Sequence, residues 1–153
     1  MRWTDALGLR IDWGNIVLNN AKVIANLYRL NQAIIDQGKS NEDFTLRITG
    51  GDRFIDSQGN FVSLTDFSII PPSETNLRSE HLIKNGARGV DLTVSRITRQ
   101  EFSSALRNTD FLRSNTKAYA DHTHIALPNL PKFKIDPDSL PADLSGRKDL
   151  YGP

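Results

Sequence analysis

All three histidines of the chain lie in two short stretches, and each stretch carries a carboxylate. The first runs Ser79-Glu80-His81 through Gly86-Ala87-Arg88-Gly89-Val90-Asp91, and the second is Asp121-His122-Thr123-His124. Imidazoles and carboxylates grouped in this way can hold a metal ion or move a proton. Two histidines and one carboxylate are a common ligand set for a catalytic zinc, which keeps its fourth position for water. His122 and His124 are two apart, so on a strand both emerge on the same face and look toward one site. His81 and Asp91 are ten apart, too far for one helical turn but suited to the two ends of a loop opening into a strand. The competing reading makes His122 and His124 partly exposed strand residues and the aspartates surface charge.

Composition narrows the chemistry further. The absence of cysteine excludes disulfide scaffolds, cysteine zinc fingers, iron–sulfur clusters and thiol nucleophiles, leaving nitrogen and oxygen as metal donors. Nineteen basic against 18 acidic residues, a net charge of +1, give no global field for nucleic acid or anionic lipid, so neither nucleic acid nor a membrane is an expected partner. A length of 153 residues fits one domain with a real core. The hydrophobic fraction of 38% is ordinary for a soluble protein, while a mean hydropathy of −0.42 leans toward a loop-rich chain. Arg2, Asp5, Arg10 and Asp12 interrupt the first residues where a secretory signal needs an apolar core. No apolar run approaches the ~18 residues that span a bilayer. The expectation is a soluble chain without a signal peptide.

The elements that must position these residues follow from periodicity. From Asn15 to Gln37, Val17, Ala21, Ile24, Leu27, Tyr28, Ile34 and Ile35 recur at helical spacing, with Gly38 as the stop. Phe44 to Ile48 alternates as a half-buried strand ending at Gly50 and Gly51. Asp52 to Asn60 reads as a loop or short hairpin, and Pro71 and Pro72 break the apolar-rich piece Phe61 to Ile70. Val90, Leu92 and Val94 alternate as a second strand, after which Ser95 or Thr98 can cap a helix carrying Phe102, Leu106 and Phe111 inward. Asn115 to Leu127 reads as a third strand with Ala118, Ala120, His122, His124 and Ala126 on one face. Together these predict an α+β fold, a small and mostly antiparallel sheet flanked by helices. Residues 1–14 form an N-terminal arm, 15–128 the domain and 129–153 a tail spaced by prolines.

Ser-x-His, a glycine-rich stretch and Asp, then Asp-x-x-His about thirty residues later, resemble the zinc D-Ala-D-Ala carboxypeptidases and phage L-alanyl-D-glutamate endolysins, which share their fold with the hedgehog signalling domain. The family pattern is S-x-H-x-x-G-x-A-x-D followed by E-x-x-H or D-x-x-H. Upstream, the family has a helix and then a strand ending in S-G-x-R. Thr49-Gly50-Gly51-Asp52-Arg53 stands at that place here, and the resemblance runs from about Asn15 to Pro128. Here the step from His81 to Asp91 is three residues longer, with Gly86 and Gly89 available to absorb the insertion.

The resemblance implies His81, Asp91 and His124 as ligands of a Zn2+ ion. It implies Asp121 as the general base, Arg53 as the cation that polarises the scissile carbonyl and Ser79 as a nearby hydrogen-bonding residue. His122, the first of an H-x-H pair, would lie beside the metal and assist; otherwise it is a polar strand residue paired with a neighbour. Aspartate at 121 looks more like the endolysin branch than the carboxypeptidases. Asp121 and His124 are three apart and would face opposite sides of a regular strand, so a bulge or a strand start near His122 is required.

The implied function is a metallopeptidase that hydrolyses peptidoglycan stem peptides, as a D-Ala-D-Ala carboxypeptidase or an L-Ala-D-Glu endopeptidase, acting in the periplasm or on the cell wall after lysis or specialised secretion. An immunity protein or a larger secreted or phage assembly are the further partners this implies. The alternatives are a zinc-binding module of the same fold without catalysis, and a metal-free interaction domain of a larger toxin or phage protein. Gly50-Gly51-Asp52 is not followed by lysine and a hydroxyl residue at the spacing of a phosphate-binding loop. Trp3 and Trp13 are expected as packing anchors, Lys84, Arg88 and Arg96 as solvated cations, and Asp136 to Asp149 as a solvated tail.

Overall fold

The computed structural model describes residues 2–4, 10–39 and 44–135. The side chains of Trp3 and the other residues up to Arg10, and the tail from Asp136 onward, lie outside the described residues. Eight strands and two α-helices are present among them: β1 Arg2–Thr4, β2 Arg10–Asp12, α1 Ala21–Ile35, β3 Thr45–Gly50, β4 Arg53–Ile55, β5 Phe61–Ser63, β6 Gly89–Ser95, α2 Arg99–Leu106, β7 Lys117–Ala118 and β8 Thr123–Ala126. The main sheet has the order β1-β2-β3-β6-β8-β7, and β4 and β5 form a separate hairpin. The fold is α+β, and every strand pairing is antiparallel except β2 with β3. The segment expected as an N-terminal arm thus supplies two strands of the sheet.

Alternation along the central strands divides the sheet into a core face and a site face. Leu46 and Ile48 of β3, Val90 and Leu92 of β6 and Ile125 of β8 pack in one buried cluster with Val23, Leu27, Leu30 and Ile34 of α1 and with Ala105 and Leu106 of α2. Asp91 and His124, on the other parity of β6 and β8, point away from that cluster. A smaller cluster of Phe54, Val62, Leu64, Ile83 and Ala87 supports the hairpin and the loop leading to β6. Among the described residues no helix is long and apolar enough to cross a membrane.

Several expected boundaries shift for local reasons. The first helix begins at Ala21 because Asn20 caps it: its side-chain oxygen accepts the Lys22 N–H at 3.0 Å. Residues 16–20 run extended, and the Val17 carbonyl accepts the Asp52 N–H at 3.0 Å. The buried stripe of α1 is Val23, Leu27, Leu30 and Ile34, while Ala21 is exposed and Ile24 only half-buried. Thr98 caps α2 in a reciprocal capping box with Glu101, and Phe111 is buried as expected. Trp13 packs edge-on against Tyr28, ring centres 5.7 Å apart. Phe133, at the start of the expected tail, is buried in the main cluster.

The third expected strand is two short ones. The Tyr119 N–H donates to the His122 carbonyl at 2.8 Å, closing a turn that folds β7 back on β8 with Lys117 opposite His124. The single face expected for Ala118, Ala120, His122, His124 and Ala126 is therefore interrupted, and β8 starts immediately after His122. That start releases Asp121 from the alternation that would otherwise set it on the opposite face from His124.

Asn20 also ties this frame to the site loop. Its amide donates to the Gly86 carbonyl at 2.9 Å and to the Phe133 carbonyl at 2.8 Å, in a buried position. Asn20→Asp keeps the cap acceptor but loses both donations and sets a carboxylate against two buried carbonyls. It should lower unfolding stability by about 2–4 kcal/mol, read by chemical denaturation; an unchanged midpoint would show that the amide is not a structural tie.

Candidate metal centre

His81 Nε2, Asp91 Oδ1 and His124 Nδ1 converge. His81 Nε2 lies 3.1 Å from Asp91 Oδ1, His124 Nδ1 lies 2.9 Å from the same oxygen, and the two nitrogens are 3.2 Å apart. All three residues are buried, and together they could hold a metal ion. Tetrahedral zinc with bonds of ~2.0–2.1 Å separates its donors by ~3.3 Å, so these spacings need little adjustment. The donor set fits as well, since two imidazoles and a carboxylate with no thiolate suit a catalytic rather than a structural zinc. Two imidazole nitrogens that face each other at 3.2 Å also require a proton or a cation between them.

Strand register builds two of the three donors. Asp91 pairs with His124 across β6 and β8, and with Gly50 across β3 and β6, where the register shifts between Ile48 and Gly50. A Cβ on Gly50 would stand 2.5 Å from Asp91 Oδ2, so only glycine lets the carboxylate lie against β3. His81 arrives from a loop fixed by its own backbone: its carbonyl accepts the Arg53 N–H at 2.9 Å and its N–H donates to Ser79 Oγ at 3.3 Å. The ten-residue step to Asp91 is taken up by a 3₁₀ turn over Ile83–Asn85, Gly86 at φ 96° and Ala87 at φ 48°. Gly86 accepts its left-handed conformation without strain, whereas Ala87 is held there with its side chain fully buried.

Electrostatics reports the same demand for positive charge. Burial would discharge His124, but hydrogen bonds to Asp91 and Glu80 outweigh it and push the imidazole up to about 9. Burial raises Asp91 too, yet contacts from His124 and His81 hold it well below the usual carboxylate range. Burial pushes His81 down, against the pull of Asp91. Metal and proton thus compete for the same donors.

Beside the three donors stand a cation and a third imidazole. Arg53 Nη2 and His122 Nε2 each lie 3.8 Å from Asp91 Oδ2. The Asp121 carboxylate is 87% exposed and does not reach the cluster; it accepts from His122 Nδ1 at 2.7 Å. Tyr119 stacks on the His122 ring at 4.7 Å. Ser79 acts on the backbone of His81. Of the site residues expected from the sequence, His81, Asp91 and His124 form the cluster and Arg53 and His122 stand against it, while Ser79 and Asp121 meet it only through His81 and His122.

Glu80 had no role in that expectation, and Gly50 and Gly89 entered it only as the end of a strand and as a place to absorb the longer step from His81 to Asp91, not as the close approaches they make to Asp91 and His124. Glu80 Oε1 lies 3.5 Å from His124 Nε2. Its only sequence signal is its place between Ser79 and His81, and the pairing with His124 spans 44 positions with no periodicity to show it. Arg88, expected as a solvated cation, is buried and donates to the Asn85 and Leu127 carbonyls at 2.9 and 2.8 Å. Its guanidinium replaces the hydrogen bonds those carbonyls would lose on burial.

The chain matches no protein-family model, no curated protein and no solved structure.

Behind the cluster, Asp52 is fully buried; its Oδ2 accepts from the Asn19 backbone at 2.6 Å and side chain at 3.0 Å, and its Oδ1 has no partner. Burial outweighs these bonds and raises the carboxyl to about 7. An acid raised in the folded state gives stability that is complete below the unfolded value near 3.8 and is lost as pH rises through about 7. The loss is on the order of 4 kcal/mol. Asp52→Asn removes this slope, so its stability relative to wild type should rise between pH 4 and pH 7.5 in denaturant titrations. A difference that stays flat with pH would sink the assignment.

Proposed function

We propose that the chain is a zinc-dependent peptidase that hydrolyses peptidoglycan stem peptides at a bond involving a D-amino acid. The observation that carries this reading is the convergence of His81 Nε2, Asp91 Oδ1 and His124 Nδ1 with Arg53 and the Asp121–His122 pair on the same side. The motif resemblance to the D-Ala-D-Ala carboxypeptidases and L-alanyl-D-glutamate endolysins supplies the substrate class, and such a substrate lies outside the cytoplasmic membrane.

Zinc held by the three donors would supply Lewis acidity toward a carbonyl oxygen and lower the pKa of water to ~7. The chain's own residues supply the proton handling. A carboxylate accepts and does not donate, so Asp121 holds His122 with its proton on Nδ1 and leaves the Nε2 lone pair facing the cluster. His122 then takes a proton from water at Nε2, while Asp121 stabilises the imidazolium, and returns the proton to the leaving amine nitrogen. Tyr119 covers one face of the ring and keeps Nε2 aimed inward. The base is thus His122 supported by Asp121, rather than Asp121 itself. Arg53, its side chain only 16% exposed, offers a desolvated guanidinium to the negative charge that grows on the carbonyl oxygen. With a dication held there, the two carboxylates Asp91 and Glu80 would stand against it and the Arg53 guanidinium, a balance that would favour anionic groups of a small peptide.

Muropeptides incubated with the zinc-loaded protein and read by mass spectrometry test this directly. Wild type should release the shortened stem peptide, His122→Ala should slow release about 10²–10⁴-fold, and His124→Ala should lose both zinc and product. Equal product from wild type and His122→Ala would remove His122 as the base. Stoichiometric zinc with no product from any stem peptide would leave a zinc-binding module without catalysis.

A further inference from the structure

We infer that Glu80 is the positioning residue that commits His124 to bind metal through Nδ1; this rests on the metal-centre part of the proposed function and not on the peptidase part. The two ring nitrogens of His124 face different partners. Nδ1 looks into the cluster, 2.9 Å from Asp91 Oδ1 and 3.2 Å from His81 Nε2, and Nε2 looks the other way, 3.5 Å from Glu80 Oε1. A carboxylate has no proton to give, so the nitrogen it faces must carry the hydrogen. The neutral ring then has its lone pair on Nδ1, where the other two donors are. A ligating histidine whose second nitrogen is bound to a carboxylate is held in both tautomer and orientation.

Three features show that this contact is built. The Glu80 side chain is only 19% exposed, with its carboxylate against the His124 ring. The Gly89 N–H donates to the Glu80 carbonyl at 2.9 Å, fixing the Glu80 backbone to the start of β6. A Cβ on Gly89 would stand 2.8 Å from His124 Cε1 and 3.0 Å from Glu80 Cβ, so the absence of a side chain at 89 is what admits the imidazole and Glu80 side by side.

Glu80 also carries a cost that packing alone does not explain. Its Oε2 is buried with no hydrogen-bond partner among the described residues. Such an orphaned oxygen gives up its hydration with nothing in return, and an apolar side chain of similar size would fill the space without that loss. A local rule broken at a position that faces a ligand histidine is expected where function is served. By contrast, His81 Nδ1 has no partner, so the ring of His81 is held by its backbone and by the cluster itself. His124 is the one histidine donor with a carboxylate behind it.

Substitution at Glu80 in the full chain separates positioning from charge. Glu80→Gln keeps an acceptor at the same reach without the charge, Glu80→Asp keeps the charge but withdraws the acceptor, and Glu80→Leu removes both. Zinc affinity is read by competition with a chromophoric chelator, and the His124 tautomer by long-range ¹H–¹⁵N correlation in the protein saturated with zinc. Glu80→Leu should bind zinc about 10–100-fold more weakly and lose the single Nε2–H tautomer. Glu80→Gln should stay within a few-fold of wild type with the tautomer kept, and Glu80→Asp should fall below Glu80→Gln even if the leucine variant does not fold. Wild-type affinity and tautomer in Glu80→Leu, or Glu80→Asp binding more tightly than Glu80→Gln, would overturn the role of Glu80 while the metal centre stands. A wild-type protein that takes up no zinc would overturn the metal centre, and this role with it.

Discussion

The register of β6 between its two neighbours is the constraint on which the site depends. Gly50, Asp91 and His124 lie in one cross-strand row, and the same pairing places Val90 and Leu92 on the opposite face against the helices. Because the side-chain period of a strand is two, a slip of one residue would turn Asp91 into the apolar core and bring Leu92 to the site. Burial of the core residues therefore enforces the position of the Asp91 carboxylate in the cluster. The helices have no contact role at the site, yet α1 and α2 hold it by making the correct register the one that buries Leu46, Ile48, Val90, Leu92 and Ile125.

His81 is the donor that the sheet cannot position. Its loop is fastened by backbone bonds to Arg53 and Gly89 through the carbonyls of His81 and Glu80, so the cation beside Asp91 and the strand carrying Asp91 hold the same short segment. Asn20 clamps the far end of that loop at Gly86. Movement of the hairpin bearing Arg53 would consequently move His81, and the cation and the metal donor are coupled by geometry rather than by charge alone.

Local signals in the sequence were sufficient for much of this and insufficient at identifiable places. The capping box at Thr98, the alternation through Val90 to Val94 and the helical spacing after Ala21 are short-range patterns, and the elements they announce are present. The ligand trio was legible because Ser79, His81, Asp91 and Asp121-x-x-His124 stand in a familiar order. The turn at Tyr119 to His122 was not, because the alternation of small and polar residues continues through it and the bond from the Tyr119 N–H to the His122 carbonyl leaves no compositional mark. For the same reason Asp121 looked able to face the metal, when the turn directs it outward and hands that place to His122. Glu80, Gly89 and buried Arg88 depend on partners distant in sequence, and a single chain read along its length contains no sign of such pairings.

The balance of charge explains why so many ionisable groups are tolerated in one buried place. Asp91 has two oxygens with separate partners: Oδ1 faces His81 and His124, and Oδ2 faces Arg53 and His122. A buried carboxylate without such partners would neutralise by taking a proton; here the imidazoles of His124 and His81, with the Arg53 guanidinium beside them, keep it ionised. His124, between Asp91 and Glu80, carries the positive charge that balances the two carboxylates. A divalent cation would satisfy the same two carboxylates more fully, one directly and one through the imidazole, and would free the two facing nitrogens of His81 and His124 from sharing a proton. The residues that make so much buried charge tolerable are thus the ones that could hold a metal, and Glu80, the carboxylate furthest from the cluster centre, faces the nitrogen of His124 that points away from it.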